Sequence, residues 1–176
     1  MTMWVFGYGS LVWNPGFDPA ERVLARLTGY HRSFCMRSVH HRGTAERPGL
    51  VLALDTAQAH VCQGVAFSVA AREEDRVLAT LRERELISSA YIERELPVEL
   101  TDGRRVTAVT YIVDPQHVQY CGGLGLEEQA QIIARSEGGR GRNDEYLYRT
   151  VEHLTELGIG DRDLEWLARR VRAISS

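Results

Sequence analysis

The chain has 176 residues, of which 44% are hydrophobic and 26% are charged. This length and composition predict one soluble domain, residues 1–176, with room for a hydrophobic core. The formal net charge of −3 gives no reason to expect nucleic acid or an anionic membrane as a partner.

The cysteines and the N-terminal residues favour a cytoplasmic protein. Cys35, Cys62 and Cys121 are odd in number and include no CxxC pair, so they suggest neither a disulfide framework nor a zinc site. The first residues lack a basic region and glycines interrupt their apolar run, which argues against a secretory signal. No apolar run in the sequence approaches the length of a membrane span.

Short apolar runs bounded by glycine, proline and polar residues predict six strands. In chain order these are Met3–Phe6, Ser33–Arg37, Leu50–Leu54, Gln63–Val69, Tyr91–Leu100 and Val106–Val113. The turn at 101–103 joins the last two and is typical of a hairpin. The polar segment at 38–49 is predicted to be a loop.

Four helices are predicted from apolar residues that recur with the 3.6-residue period. One runs from about Arg72 to Leu86, and three follow in the C-terminal part, where Asp161 is the expected N-cap of the last. Their apolar faces contain Leu126, Ala130, Ile133 and Ala134, then Leu147, Val151 and Leu154, then Leu164, Leu167, Val171 and Ile174. Strands first and helices last predict an α+β fold.

A glutamate lies on the apolar face of the helix predicted at 72–86. Val77 and Leu81 form that face, and Glu85 follows Leu81 by four residues. Burial and the negative end of the helix dipole both favour the protonated carboxyl and raise its pKa, which suits a general acid or base near neutral pH. On periodicity alone the favoured interpretation is an ion pair with Arg84 or Arg94 that only stabilises the helix end, since structural ion pairs also perturb pKa values.

The sequence GYGSL at 7–11 follows the first predicted strand. Ser10 does not lie in a GxSxG nucleophile elbow, because Tyr8 stands two residues before it. The turn also lacks the GxGxxG and GxxxxGK[ST] phosphate-binding patterns. The remaining interpretation is a glycine-rich turn whose backbone N–H groups face an anion or a developing oxyanion.

Two polar segments offer weaker candidates. His40 and His41 could supply a base or begin a metal site, but no second group of ligands follows at a metal-binding spacing. A polar loop is the favoured interpretation. The glycines at 138–141 and Asn143-Asp144 are typical of a flexible loop that enters an N-capped helix, and Tyr146 in its first turn is a candidate ligand contact.

Five segments together resemble a known family. They are WVFGYGSLVWNPGF (4–17), GYHRSFCMRSVHHRGTAERPG (29–49), CQGVAFSV (62–69), LRERELISSAY (81–91) and YCGGLGLEEQAQIIARSEGGRGRNDEYLYRTVEHLTELGI (120–159). In this order, over most of the chain, they resemble the ChaC family of glutathione-specific γ-glutamylcyclotransferases.

The resemblance implies a small mixed β-barrel with surrounding helices. It also implies conversion of glutathione to 5-oxoproline and cysteinylglycine, without a metal or another cofactor. The family's YGSL loop, which holds the γ-glutamyl group, falls on Tyr8, Gly9, Ser10 and Leu11. Its catalytic glutamate falls on Glu85, and Tyr91 and Tyr146 are predicted to be further substrate-binding residues.

The chain departs from the family pattern at a few positions. Ser89 and Ala90 stand where two glycines are common, Gln63 replaces a frequent tryptophan, and Ala45 replaces a frequent proline. These departures bear on substrate preference, so cyclotransfer on other γ-glutamyl amines or amino acids stays open as an alternative. A non-catalytic γ-glutamyl-binding module is the other alternative, against which the buried Glu85 argues.

Overall fold

The computed structural model describes residues 2–86 and 90–175, which contain seven strands and four α-helices. The strands are β1 (Met3–Gly7), β2 (Glu21–Ser38), β3 (Gly49–Val69), β4 (Tyr91–Leu100), β5 (Arg105–Val113), β6 (Glu137–Gly138) and β7 (Gly141–Arg142). The helices are α1 (Glu74–Glu85), α2 (Leu126–Arg135), α3 (Asn143–Glu156) and α4 (Arg162–Ser175). Short 3-10 helices occupy Ser10–Val12 and Ala71–Glu73.

Strands β1 to β5 close into a barrel in the order β1-β3-β2-β4-β5. Strand β1 is antiparallel to β3, with Met3 opposite Val69, and parallel to β5, with Trp4 opposite Ala108. Strands β4 and β5 form the predicted antiparallel hairpin, in which Tyr91 pairs with Val113. The predicted α+β class and the predicted small mixed barrel with helices are therefore confirmed.

Two barrel strands are much longer than the sequence predicts. Strand β2 contains the predicted strand Ser33–Arg37, and β3 joins the two predicted strands Leu50–Leu54 and Gln63–Val69 into one. The residues that were missed, 21–32 and 55–62, are mostly exposed or half-buried. They form no apolar run because their place in the barrel depends on backbone pairing with neighbouring strands.

The helices agree closely with the periodic pattern. The helix predicted at 72–86 begins as a 3-10 turn and continues as α1 to Glu85. Asp161 acts as the predicted cap, since its Oδ1 accepts the Leu164 N–H at 3.1 Å. The fully buried residues of the last three helices include Ala130, Ile133, Leu147, Leu154, Leu164, Leu167 and Val171.

The chain divides into two compact units. The first contains Met1–Arg32 and Leu54–His117, and the second contains Ser33–Ala53 and Val118–Ser176. A buried cluster in the first unit consists of Val5, Leu11, Val69, Val77, Leu81, Val109 and Tyr111. Within the part of the chain that the structure describes, every helix is too short or too polar to cross a bilayer.

Candidate active site

The glycine-rich turn begins where β1 ends. Gly9 precedes the 3-10 helix Ser10–Val12 and accepts the Val12 N–H at 2.9 Å, while Ser10 O accepts the Asn14 N–H at 2.8 Å. The first N–H groups of any helix have no acceptor inside it. The turn therefore presents the N–H groups of Ser10 and Leu11 at its start.

Close packing fixes this turn on the barrel. Leu11 is buried in the first unit's cluster, and Tyr8 is also buried. A Cβ on Gly7 would lie 3.1 Å from the Leu11 Cβ, and a Cβ on Gly64 would collide with Gly7 O and lie 2.7 Å from Phe6 Cζ. Glycine at these two positions allows β1 and β3 to approach closely just before the turn.

Arg32, which lies in β2, stabilises the glycine-rich turn. Its guanidinium is buried and donates to Tyr8 O at 2.5 Å and to Gln63 O. The contact with residue 63 uses the backbone carbonyl, so it does not depend on the glutamine side chain that departs from the family pattern. Sequence reasoning missed Arg32, because no motif indicates which arginine is buried.

Glu85 is the last residue of α1. Val77 and Leu81 on the same face are 1% exposed, and the Glu85 side chain retains 17% of its exposure. Burial raises the pKa of its carboxyl, and the positive charge of Arg84 opposes that rise. The burial and the direction of the pKa shift agree with the prediction made from helical periodicity.

Arg84 joins the turn to the carboxylate. Its Nη2 donates to Ser10 Oγ at 3.0 Å, its Nη1 donates to Asn14 O at 2.7 Å, and its Nε lies 3.7 Å from Glu85 Oε1. The ion pair expected under the structural interpretation of Glu85 is therefore present with Arg84, although it is long. Ser10 and Glu85 therefore both contact the guanidinium of Arg84, Ser10 through a hydrogen bond and Glu85 through the ion pair.

A buried tyrosine lies within electrostatic reach of Glu85. The Tyr111 hydroxyl donates to Glu93 Oε1 at 3.0 Å, and Arg82 donates two hydrogen bonds to the same carboxylate, each 3.0 Å long. Burial, the bond to Glu93, and the charges of Glu93 and Glu85 raise the pKa of Tyr111. No sequence motif indicated a role for Tyr111, which was predicted only as part of an apolar strand.

The two further tyrosines predicted to bind substrate lie in different units. Tyr91 begins β4 in the first unit and packs, partly buried, against the cluster that contains Leu11 and Leu81. Tyr146 lies in the second unit, where its hydroxyl accepts the Leu52 N–H at 3.3 Å and its ring contacts Phe34 edge-on. Contact of either tyrosine with substrate stays a prediction.

The segment before α3 is not the flexible, side-chain-capped loop that was predicted. Residues 137–142 form the β6–β7 hairpin, and Arg142 occupies the N-cap position without a side-chain cap bond. Asn143 instead turns to β3, where its Oδ1 accepts the Leu50 N–H and its Nδ2 donates to Leu50 O, both at 2.8 Å. The cap prediction was wrong because this amide replaces a strand partner.

The histidine pair lies in the loop after β2. The carbonyl oxygens of His40 and His41 accept the N–H groups of Gly139 and Arg140 at 2.7 and 2.9 Å. Burial and the neighbouring charges of Arg140, His40 and Arg42 lower the pKa of His41. Among residues 2–86 and 90–175, no three histidine, cysteine or carboxylate side chains come together as a set of metal ligands.

Comparison with known proteins identifies the family. A family model described as ChaC-like protein matches residues 3–174. The chain belongs to the ChaC family. It is 36% identical over 98% of its length to an Escherichia coli protein named glutathione-specific gamma-glutamylcyclotransferase, and covers 74% of that protein. A human protein named glutathione-specific gamma-glutamylcyclotransferase 1 is 32% identical to this chain. The aligned region covers 99% of this chain and 79% of the length of the human protein.

A solved structure shares the fold over the full chain. The crystal structure of a gamma-glutamyl cyclotransferase specific to glutathione from yeast superposes with a TM-score of 0.87, at 25% identity and 100% coverage of both chains. The predicted ChaC membership is confirmed. Of the ChaC segment LRERELISSAY, Ser89 lies outside the described residues, so the departure at Ser89-Ala90 has no structural account.

Proposed function

We propose that this ChaC chain is a glutathione-specific γ-glutamylcyclotransferase, a lyase that converts glutathione to 5-oxoproline and cysteinylglycine. The observation that carries the proposal is a buried carboxylate, Glu85, joined through Arg84 to a glycine-rich turn. The names of the Escherichia coli and human relatives support glutathione as the substrate.

The reaction is an intramolecular acyl transfer. The α-amino nitrogen of the substrate attacks its own γ-glutamyl carbonyl carbon, a new C–N bond closes the five-membered ring, and the amide bond to cysteine breaks. The substrate supplies both the nucleophile and the electrophile, so the reaction requires no cofactor and no nucleophilic side chain of the protein. Holding the two ends at near-attack distance is the main contribution of the site.

We assign the proton transfers to Glu85. The α-ammonium group must lose a proton before it attacks, and the leaving nitrogen must gain one. A carboxylate with a raised pKa serves both steps near neutral pH, because it takes a proton readily and returns it readily. Burial supplies that raised pKa.

The turn at 8–11 binds the γ-glutamyl group in this proposal. N–H groups from Gly9 to Leu11 face a substrate carboxylate or the carbonyl oxygen on which negative charge develops. Ser10 Oγ accepts a hydrogen bond from Arg84, so the hydroxyl hydrogen can be donated to substrate. A guanidinium cannot accept a proton and therefore does not activate Ser10 as a nucleophile.

We also propose that the chain acts in the cytoplasm. All three cysteines are thiols, which suits a reducing compartment. Cell fractionation with an antibody against the chain tests this part of the proposal separately from the activity.

The deciding experiment is incubation of the purified protein with glutathione, with and without a chelator, and measurement of 5-oxoproline and cysteinylglycine. We expect equal amounts of both products, and turnover that the chelator does not change.

Glu85→Gln should lower turnover of glutathione by about 10²–10⁴-fold, the range of general acid–base catalysis. Glu83→Gln is the matched control, because Glu83 is exposed two residues away on the same helix.

Three outcomes would contradict parts of the proposal. Normal turnover by Glu85→Gln would remove Glu85 from the mechanism. Turnover of other γ-glutamyl amines or amino acids, but not of glutathione, would replace the substrate. Binding of glutathione without any product would favour the non-catalytic module.

A further inference from the structure

Two cysteines face each other across a short antiparallel pairing in the second unit. Met36 pairs with Tyr120, the Arg37 N–H donates to Gln119 O at 2.8 Å, and the Cys121 N–H donates to Cys35 O at 2.7 Å. In an antiparallel register each step forward on one segment is a step back on the other. Cys35 therefore lies directly opposite Cys121.

This register suits a disulfide. Directly opposite residues in a hydrogen-bonded antiparallel pair have Cα atoms about 5.5 Å apart and side chains on the same face. Disulfide-bonded cysteines have Cα atoms about 4.4–6.8 Å apart. This register thus gives the two Cα atoms a separation that a disulfide can span, and bond formation brings the Cβ atoms from about 5.5 Å to about 3.8 Å apart.

The two thiols differ in access. Cys35 is 2% exposed, whereas Cys121 is half-buried and can be reached from solvent. Burial raises the pKa of the Cys121 thiol, the nearby Arg37 lowers it and Glu128 raises it. Cys121 is thus the thiol that an external reagent meets first, and its reaction speeds up as pH rises because the thiolate is the nucleophile.

We propose that Cys35 and Cys121 are a reversible oxidation site, which a small-molecule disulfide converts to an intramolecular disulfide. The Cys121 thiolate attacks one sulfur of the reagent, forms a mixed disulfide and releases one thiolate. The Cys35 thiolate then attacks the Cys121 sulfur and releases the second. Two protein thiols are oxidised, the reagent disulfide is reduced to two thiols, and the two protein protons pass to the released thiolates.

Such a bond would connect the segment that follows β5 to the end of β2. The oxidation state of the pair would follow the ratio of small thiols to small disulfides around the protein. This site involves none of the residues assigned to cyclotransfer. The proposal of a reversible oxidation site is therefore independent of the proposed cyclotransferase activity.

The test treats the native protein with oxidised 2-mercaptoethanol, which carries no γ-glutamyl group. Intact mass should fall by two hydrogen atoms, and a digest should contain one linked pair of peptides, Cys35 with Cys121. Reduction should restore the original mass. Treatment in denaturant is the control, where links to Cys62 should also form because the fold no longer selects the pair.

Variants identify the order of events. Cys35→Ser should stop at the mixed disulfide on Cys121, with a mass higher by one mercaptoethanol group, and Cys121→Ser should stay unmodified on Cys35. A native digest in which Cys62 is linked, or in which Cys121 carries only the mixed disulfide in the unmutated protein, would overturn the proposal.

Discussion

The Glu85 carboxylate has a physical cost to the fold. Its side chain keeps 17% of its exposure, and burial raises the pKa of the carboxyl. The charged form is the one that burial disfavours. A group tuned for proton transfer near neutral pH therefore destabilises the folded chain at that same pH.

Glu85→Gln should for this reason be more stable than the parent chain at neutral pH. A raised folded-state pKa means that the folded chain binds the proton more tightly than the unfolded chain. The stability associated with the protonated form is present below the ordinary carboxyl value of 4.5 and is lost as pH rises through the folded-state pKa. Urea unfolding at several pH values should show a difference that vanishes in acid, and a constant difference would contradict the assignment.

Arg84 should tune the same carboxyl. Its charge opposes the rise in the pKa of Glu85, so Arg84→Met should raise that pKa further. The acid limb of the kcat/KM profile should move to higher pH, because the ionised carboxylate is the base that begins the reaction. Arg84→Lys keeps the charge and should leave the limb nearly in place, even where the weaker contact with Ser10 lowers kcat.

Arg76→Met is the control for the Arg84 variant. Arg76 is exposed on α1 and pairs with Glu73, so its removal should leave the pH profile unchanged. An unchanged acid limb in Arg84→Met would show that Glu85 is not the titrating base.

The sequence predicted the burial of Glu85 but not the residues that surround it. Helical periodicity places a residue on a face, and this is why the burial of Glu85 beside Leu81 was predictable. The contacts of Arg84 with Ser10 and Asn14 join positions 70 or more residues apart, which no local pattern reports. Arg32 and Tyr111 were missed for the same reason.

Among the secondary-structure elements, α3 has an unusual attachment. Asn143 is fully buried at its first turn and bonds both the N–H and the C=O of Leu50. A side-chain amide thereby takes the place of a neighbouring strand's backbone. The helix and strand β3 are held at one point by two hydrogen bonds of 2.8 Å.

Asn143→Ala should destabilise the chain strongly. It leaves two buried backbone groups without their partner, and each such group costs about 1–3 kcal/mol. Chemical denaturation should show this loss, whereas Glu152→Ala, on the exposed face of the same helix, should change stability by less than about 0.5 kcal/mol. Equal stabilities of the two variants would contradict the structural role of the amide.

The elements themselves were predicted unequally. The β4–β5 hairpin and the four helices follow from turn chemistry and the 3.6-residue period. Strands β2 and β3 were predicted only in fragments, because most of 55–62 and much of 21–32 are not buried and so lack an apolar signal. Barrel pairing extends these strands through residues that local sequence does not mark.

At the scale of the whole molecule, the chain passes three times between its two compact units. Each unit consists of two separate stretches of sequence, so neither corresponds to a continuous piece that could be excised. We therefore keep the single domain predicted from the sequence, 1–176, as a proposal about folding: the two units unfold together.

Urea unfolding followed by two probes tests this proposal. Far-UV circular dichroism mainly reports α2, α3 and α4 in the second unit. In a Trp166→Phe variant, which removes the tryptophan of α4, the fluorescence reports Trp4 and Trp13 in the first unit. A single cooperative transition gives coincident curves. Separate midpoints would show that the units are independent folding domains.

Arg32 determines the direction of the peptide dipole between Tyr8 and Gly9. The guanidinium fixes the carbonyl of Tyr8, and in a planar trans peptide the C=O of one residue points opposite to the N–H of the next. The Gly9 N–H must therefore point away from Arg32. A cation inside the barrel wall thus orients the first peptide plane of the glycine-rich turn before any ligand arrives.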